Sequence, residues 1–120
     1  MRKGVMSVKF KALAAVFFVF FLVSAATAHP PREIRLSYDG KDELTVRVFH
    51  GVDDGSKHFI EKIEVRVDGT VVAERHYSSQ PGPEGLSETF SLGRLLPGVE
   101  IHVKAQCNIF GSLEATYKVP

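Results

Sequence analysis

Hydrophobic and polar residues alternate with a period of two along most of the chain from residue 33 onwards. Segments 44–48 and 63–67 carry an aliphatic side chain at every second position, with threonine, arginine or glutamate between them. Segments 101–106 and 113–119 repeat the pattern. This period is typical of strands that bury one face and expose the other. No segment in this part of the chain has a convincing helical period, so the pattern predicts a structure built from strands.

Turn residues separate the alternating runs at short intervals. Asp39-Gly40, Asp68-Gly69 and Pro97-Gly98 are turn dipeptides, and Asp-Gly between two β-rich runs is a strong hairpin signal. The polar, glycine-containing segments 51–57 and 80–85 predict loops. The strands are expected at 33–38, 43–50, 60–67, 70–77, 87–92, 100–106 and 113–119. About seven short strands of this kind predict an all-β fold, an immunoglobulin-like antiparallel β-sandwich.

The first 28 residues follow a different pattern. Four basic residues and no acidic one lie in this segment, together with an apolar run at 12–23. That run is shorter than the roughly 20 apolar residues that a membrane-spanning helix needs. Ala26 and Ala28 then supply the small side chains that signal peptidase accepts before its cut. We therefore expect residues 1–28 to be a cleaved signal peptide. Residues 29–120 would form one domain, secreted across the cytoplasmic membrane and periplasmic or extracellular.

The charge of residues 29–120 restricts the kinds of partner. Four of the 15 lysines and arginines and none of the 14 acidic residues lie in the first 28, so residues 29–120 carry a formal net charge of −3. Proteins that bind nucleic acids or anionic membranes usually present a basic surface. We therefore expect a small-molecule partner, no nucleic acid and, after signal cleavage, no membrane. Association into a homo-oligomer stays open.

Residues with metal-ligating side chains lie where strands begin and end. His50 ends the predicted strand 43–50, His58 precedes the strand that starts at residue 60, and Cys107 follows the strand 100–106. His29 is the first residue after the predicted cleavage site. Imidazole is a borderline ligand and thiolate a soft one, so a site of this kind favours Fe, Cu or Zn over Mg or Ca. These four residues are the candidate metal ligands.

Other polar residues are weaker candidates. Cys107 is the only cysteine and cannot form an internal disulfide, which leaves a buried thiol, an intermolecular link or a metal ligand as its alternatives. His76 and His102 fall on solvent-facing positions of their predicted strands. The adjacent Asp53 and Asp54 lack the alternating spacing of a calcium loop, and a polar turn explains them.

Two motifs among these residues are similar to a known family. The first combines His50 with His58-Phe59-Ile60-Glu61, and the second is Cys107-Asn108-Ile109-Phe110-Gly111. With His29-Pro30-Pro31 upstream, they resemble the iron domain of superoxide reductases, the desulfoferrodoxin and neelaredoxin family. The resemblance spans nearly all of residues 29–120 and implies the same sandwich fold.

The resemblance also implies a metal centre and a reaction. Members of the family hold one non-haem iron with four histidines and an axial cysteine, and they reduce superoxide to peroxide. His29, His50, His58 and Cys107 match four of these ligands. The chain has no rubredoxin-like Cys-x-x-Cys centre, so a separate, unknown electron donor is implied. Asn108 is expected to shape the loop around Cys107 or to tune its thiolate.

The chain departs from the family pattern around this centre. Phe110 occupies the position of the fourth histidine, Gly51 replaces a proline, and Leu113 replaces a tryptophan. The lysine that commonly precedes the first histidine of the family would be Ala28, within the predicted signal peptide. Lys57, beside His58, is the candidate catalytic residue that substitutes for its charge. Inheritance of the fold is therefore better supported than inheritance of the activity.

Two alternatives to an iron enzyme stay open. Signal cleavage before His29 would expose an α-amine and an imidazole on one residue, and this pair can chelate copper. His50 or His58 could complete the site, and Cys107 could bind Cu(I). In this alternative the protein is an extracytoplasmic copper carrier. In the other, the domain is a degenerate member of the family that binds a partner without any metal.

Overall fold

The computed structural model describes residues 29–120. The predicted signal peptide at 1–28 lies outside the described residues, and its cleavage stays a prediction. Within the described part, all regular structure is β-structure. The strands are β1 (Glu33–Tyr38), β2 (Glu43–Phe49), β3 (Ile60–Val67), β4 (Thr70–His76), β5 (Gly85–Ser91), β6 (Glu100–Cys107) and β7 (Ser112–Lys118). Between His29 and Pro120 no helix has the length and apolar character needed to cross a membrane.

The seven strands form two sheets that face each other. One sheet has three strands in the order β1-β2-β5, and the other has four in the order β4-β3-β6-β7. Every neighbouring pair is antiparallel. The predicted all-β sandwich of about seven antiparallel strands is thus confirmed.

Five of the predicted strands need corrected boundaries. β2 ends at Phe49, so His50 lies just beyond it, and the His50 N–H donates to the Glu84 carbonyl at 2.8 Å. β5 begins at Gly85, two residues before its predicted start, because Gly85 pairs with Phe49 of β2. The ends of the others differ by one residue: β4 ends at His76, β6 extends to Cys107, and β7 runs from Ser112 to Lys118.

The core fills the space between the two sheets. Most of the aliphatic residues that the alternation assigns to the inner faces are buried, and each such side chain contributes about 1.5–3 kcal/mol when it leaves water. The buried core consists of Tyr38, Leu44, Val46, Val48, Ile60, Ile63, Val65, Leu86, Phe90, Ile101, Val103, Ala105 and Val119. The predicted Asp68-Gly69 hairpin connects β3 and β4, and both of its residues have positive φ (46° and 85°), as a type I′ turn requires. The core and the hairpin fix the register of the four-stranded sheet.

A bulge interrupts β3 close to its start. Ile60 pairs with Cys107 and Lys62 with Gln106 of β6, so Glu61 is an extra residue in the ladder. Ile60 and Ile63 are both fully buried although three positions separate them, which a regular strand does not allow because its side chains alternate. The bulge therefore sets the residues before Ile60, including His58, at the end of the sheet next to Cys107.

Candidate metal centre

Three of the predicted ligand residues meet at one end of the sandwich. His29 precedes β1, His50 follows β2 and His58 lies just before β3. One ring nitrogen from each histidine lies within 4.8 Å of the other two, and the ring centroids are 4.7–5.2 Å apart. Antiparallel pairing of β1 with β2 puts His29 and His50 at one end of their sheet, and the start of β3 in the facing sheet brings His58 to the same end. We call these three residues the histidine cluster.

Cys107 lies beside this cluster as the last residue of β6. Its Sγ is 3.2 Å from Nε2 of His58, and only 3% of the residue is exposed. The backbone N–H of Ile109 donates to the same sulfur at 3.4 Å, a contact that stabilises charge on a thiolate. The structure therefore brings all four predicted ligand residues, three imidazoles and one thiol, to one place.

His50 is the buried member of the cluster, with no exposed surface. Its Nδ1 lies 3.0 Å from Oε1 of Gln80, whereas its Nε2 is buried without a hydrogen-bond partner among the described residues. Leaving a buried polar atom unsatisfied costs about 1–3 kcal/mol, and a metal ion would remove that cost. With two further imidazoles and a thiol adjacent, the residues fit iron, copper or zinc by their donor chemistry.

Asn108 ties the segment of His58 to the segment of Cys107. Its Oδ1 accepts from the Phe59 N–H at 2.9 Å, and its Nδ2 donates to the Lys57 carbonyl at 3.0 Å. The amide therefore holds the backbone on both sides of His58. The predicted loop-shaping role is visible in these contacts, whereas the Cys107 Sγ is 4.0 Å from Asn108 Oδ1. Asn108 fixes the distance between two candidate ligands.

The segment of His29 packs against the loop between β6 and β7. A Cβ atom on Gly111 would lie 2.8 Å from Cβ of Pro30, so the absence of a side chain at residue 111 allows this approach. His29 itself is exposed, and its Nδ1 lies 3.1 Å from the Pro30 carbonyl oxygen. Because a carbonyl only accepts, Nδ1 is the donor, and the neutral ring keeps the lone pair on Nε2. His29 can thus offer Nε2 as a ligand atom.

The electrostatic environment of the cluster favours neutral imidazole at His58. Burial lowers the pKa of His58 below its usual 6.5, and the neighbouring His50 and His29 lower it further, whereas Asp53 opposes this effect. Because this pKa is lowered, His58 is mainly neutral and keeps an available lone pair at pH 7. A metal ligand must be deprotonated, so this shift favours metal binding.

The remaining sequence candidates lie outside the cluster. Lys57 is exposed next to His58, and its proposed effect on superoxide stays a prediction. Phe110 is 63% exposed and carries no atom that can bind a metal. His76 pairs with Glu74 at 2.7 Å, and His102 lies 3.9 Å from Glu114, so both fall on the solvent-facing positions expected for them.

Two further residues shape the site although the sequence did not single them out. Gln80 contacts His50. The sequence of the loop 80–85 does not show whether this glutamine is buried or exposed to solvent. Gly85 packs its Cα against Val48 of the neighbouring strand, where a Cβ would overlap the Val48 carbonyl oxygen. A glycine next to a predicted strand is a signal for such a close approach, and it is the one signal that could have found this residue.

Comparisons with known proteins relate the chain to others through its fold. The chain matches no protein-family model and no curated protein sequence. Superoxide reductase (neelaredoxin) from Ignicoccus hospitalis has a similar structure, with a TM-score of 0.52 and 20% identity over 81% of this chain and 84% of that chain. A single-residue variant of superoxide reductase (neelaredoxin) from Archaeoglobus fulgidus, in the reduced form, gives 0.51 and 17% over 78% and 89%.

These similarities define the class of fold. The described domain is a neelaredoxin-like β-sandwich, as the motifs in the sequence led us to expect. Its strand ends carry a histidine cluster that can hold a metal ion.

Proposed function

We propose that residues 29–120 form a superoxide-reductase-like domain that holds one non-haem iron with His29, His50, His58 and Cys107. One observation supports this proposal above the others. The three ring nitrogens lie within 4.8 Å of each other, with the cysteine sulfur 3.2 Å from one of them, at one end of a neelaredoxin-like sandwich. When bound, ferrous iron supplies the electron that, with two protons, converts superoxide to hydrogen peroxide.

The residues around the centre support such a reaction in separate ways. The buried His50 supplies a ligand in a fixed position. Asn108 holds the segments of His58 and Cys107 at a fixed separation. The amide of Ile109 donates to the cysteine sulfur and so tunes its charge. We further propose that the exposed Lys57 attracts the superoxide anion by its charge, and that an external donor restores the ferrous state.

The experiment that tests the function starts from the full chain, expressed with residues 1–28 so that cleavage can occur. Iron and copper content are measured together with the visible spectrum and the rate of superoxide reduction. We expect about one iron per chain, and a ferric thiolate charge-transfer band that is absent in Cys107→Ala. Cys107→Ser serves as the matched variant, because it keeps the size of the side chain.

Each outcome of this experiment decides between the alternatives. Iron with a cysteine-dependent band and superoxide reduction supports the proposal. Copper bound in a manner that depends on His29 moves the assignment to a copper carrier. A colourless protein that takes up neither metal overturns both and leaves a domain that binds a partner. N-terminal sequencing of the secreted protein tests the cleavage after Ala28 in the same preparation.

The missing fourth histidine leads to a prediction of its own. Phe110 lies three residues after Cys107 and is exposed, so Phe110→His introduces an imidazole at the position that the family pattern reserves for a ligand. We expect ferric iron to dissociate from this variant at least about tenfold more slowly than from the natural protein. A tenfold change corresponds to roughly 1.4 kcal/mol of free energy. Chelator competition measures the rate, with Phe110→Leu as the control. Equal rates for the two variants would show that residue 110 cannot reach the metal.

A further inference from the structure

We infer that Gln80 is a positioning residue of the proposed metal centre. It fixes the tautomer of His50 so that the lone pair for a metal is on Nε2 of that ring. Gln80 is 6% exposed, and its side chain contacts His50 directly. The purpose of this arrangement rests on the proposed metal site. The tautomer itself can be measured without any metal.

The orientation of the Gln80 amide follows from the backbone groups around it. Nε2 donates to two carbonyls, those of His50 at 2.8 Å and Gly82 at 2.9 Å. On the other side, the Ile60 N–H donates to Oε1 at 3.3 Å. A flipped amide would face its oxygen toward two carbonyls and its NH₂ group toward an N–H, losing all three hydrogen bonds. The oxygen therefore faces His50.

This orientation determines which nitrogen of His50 carries the proton. Oε1 of an amide only accepts hydrogen bonds, so Nδ1 of His50, at 3.0 Å, is the donor. The neutral ring then has an unprotonated Nε2, which is the buried atom that lacks a partner. The remaining nitrogen of a metal-bound histidine commonly donates to an acceptor in this way, which fixes both tautomer and ring orientation.

Gln80 is itself held in place by a neighbouring loop. Its backbone N–H donates to the Gly55 carbonyl at 2.9 Å, within the segment that connects His50 to His58. One residue thus contacts the end of β2, the start of β3 and the loop between them. A glutamine that filled space alone would not need this set of directed hydrogen bonds.

The first test is the tautomer of His50 in the metal-free protein. Imidazole ¹⁵N shifts are recorded for the full secreted chain and for Gln80→Met at mildly alkaline pH. We expect Nδ1–H at His50 in the natural protein and a shift toward Nε2–H in Gln80→Met. Gln106→Met, which removes a half-buried glutamine outside the cluster, is the matched control and should leave His50 unchanged. Nε2–H at His50 in the natural protein would overturn the inference.

The second test is the affinity for a probe metal, Co²⁺ or Fe²⁺, added under anaerobic conditions. Loss of such a supporting contact weakens binding by about 10–100-fold, and we expect this loss in Gln80→Met. A folded Gln80→Met protein with the natural affinity would show that Gln80 matters for packing alone and would overturn the inference.

These tests separate the inference from the proposed function. If the natural protein binds no iron, the proposed function fails, while the ¹⁵N spectrum still reports the tautomer. If Gln80→Met does not fold, the spectrum of the natural protein still decides which nitrogen of His50 carries the proton.

Discussion

Replacing His50 by alanine is expected to abolish tight metal binding, with an affinity loss well above about 100-fold. Removing a residue that only supports a ligand already costs about 10–100-fold, and His50 is itself the buried candidate ligand. Its Nε2 has no other partner among the described residues. Titration with Fe²⁺ or Co²⁺, followed by absorbance, measures the loss.

The chain provides a matched control for this experiment. His76 is exposed and pairs with Glu74 on β4, outside the histidine cluster. His76→Ala removes the same atoms from the protein and should leave the affinity unchanged. His50→Ala also removes packing at a buried position, so circular dichroism must show that the variant is folded. A folded His50→Ala protein with natural affinity would exclude His50 as a ligand.

Replacing Gly85 by alanine is expected to destabilise the domain by about 3 kcal/mol or more, the range seen when backbone strain is combined with a steric clash. Gly85 has φ of +143°, and a Cβ would overlap the carbonyl oxygen of Val48 and lie 2.9 Å from its carbonyl carbon. Both of these atoms belong to the backbone, so they cannot rotate away. A loss of this size lowers the melting temperature of a domain of this length by about 12–24 °C.

Gly51 offers the control for Gly85. A Cβ there meets no atom within 4 Å, so Gly51→Ala should change the melting temperature little. Because the His50 N–H donates to Glu84 beside Gly85, the Gly85 variant should also lose metal affinity. Thermal and urea unfolding measure the first effect. A Gly85→Ala protein as stable as Gly51→Ala would mean that β2 and β5 separate here without cost.

Much of the fold follows from the sequence because alternation and turn chemistry are local signals. The inner positions of β2 and β6 and the Asp68-Gly69 turn could be assigned from neighbours alone. The bulge at Glu61 depends on pairing with β6, which lies much further along the chain. The early start of β5 likewise depends on its register with β2. Pairing partners of this kind are not visible in a local pattern.

The sequence predicted the side chains that meet in the candidate site better than the residues that support them. His50, His58 and Cys107 are distinctive because imidazoles and a single thiol at strand ends suggest a metal. His29 joins them as the residue that follows the predicted cleavage site, and the family motifs support all four. Gln80 could not be found in this way, since an amide in a polar loop has no distinctive pattern. Its function depends on burial and on the backbone groups that surround it.

The candidate ligands come from distant parts of the chain, so metal binding is coupled to folding. His58 and Cys107 meet through the pairing of β3 with β6, so an unfolded chain offers no preformed site. A metal that binds the native state alone stabilises it by mass action. In the proposed iron protein, metal supply would then set how long the folded chain resists proteolysis, quite apart from whether it can react with superoxide.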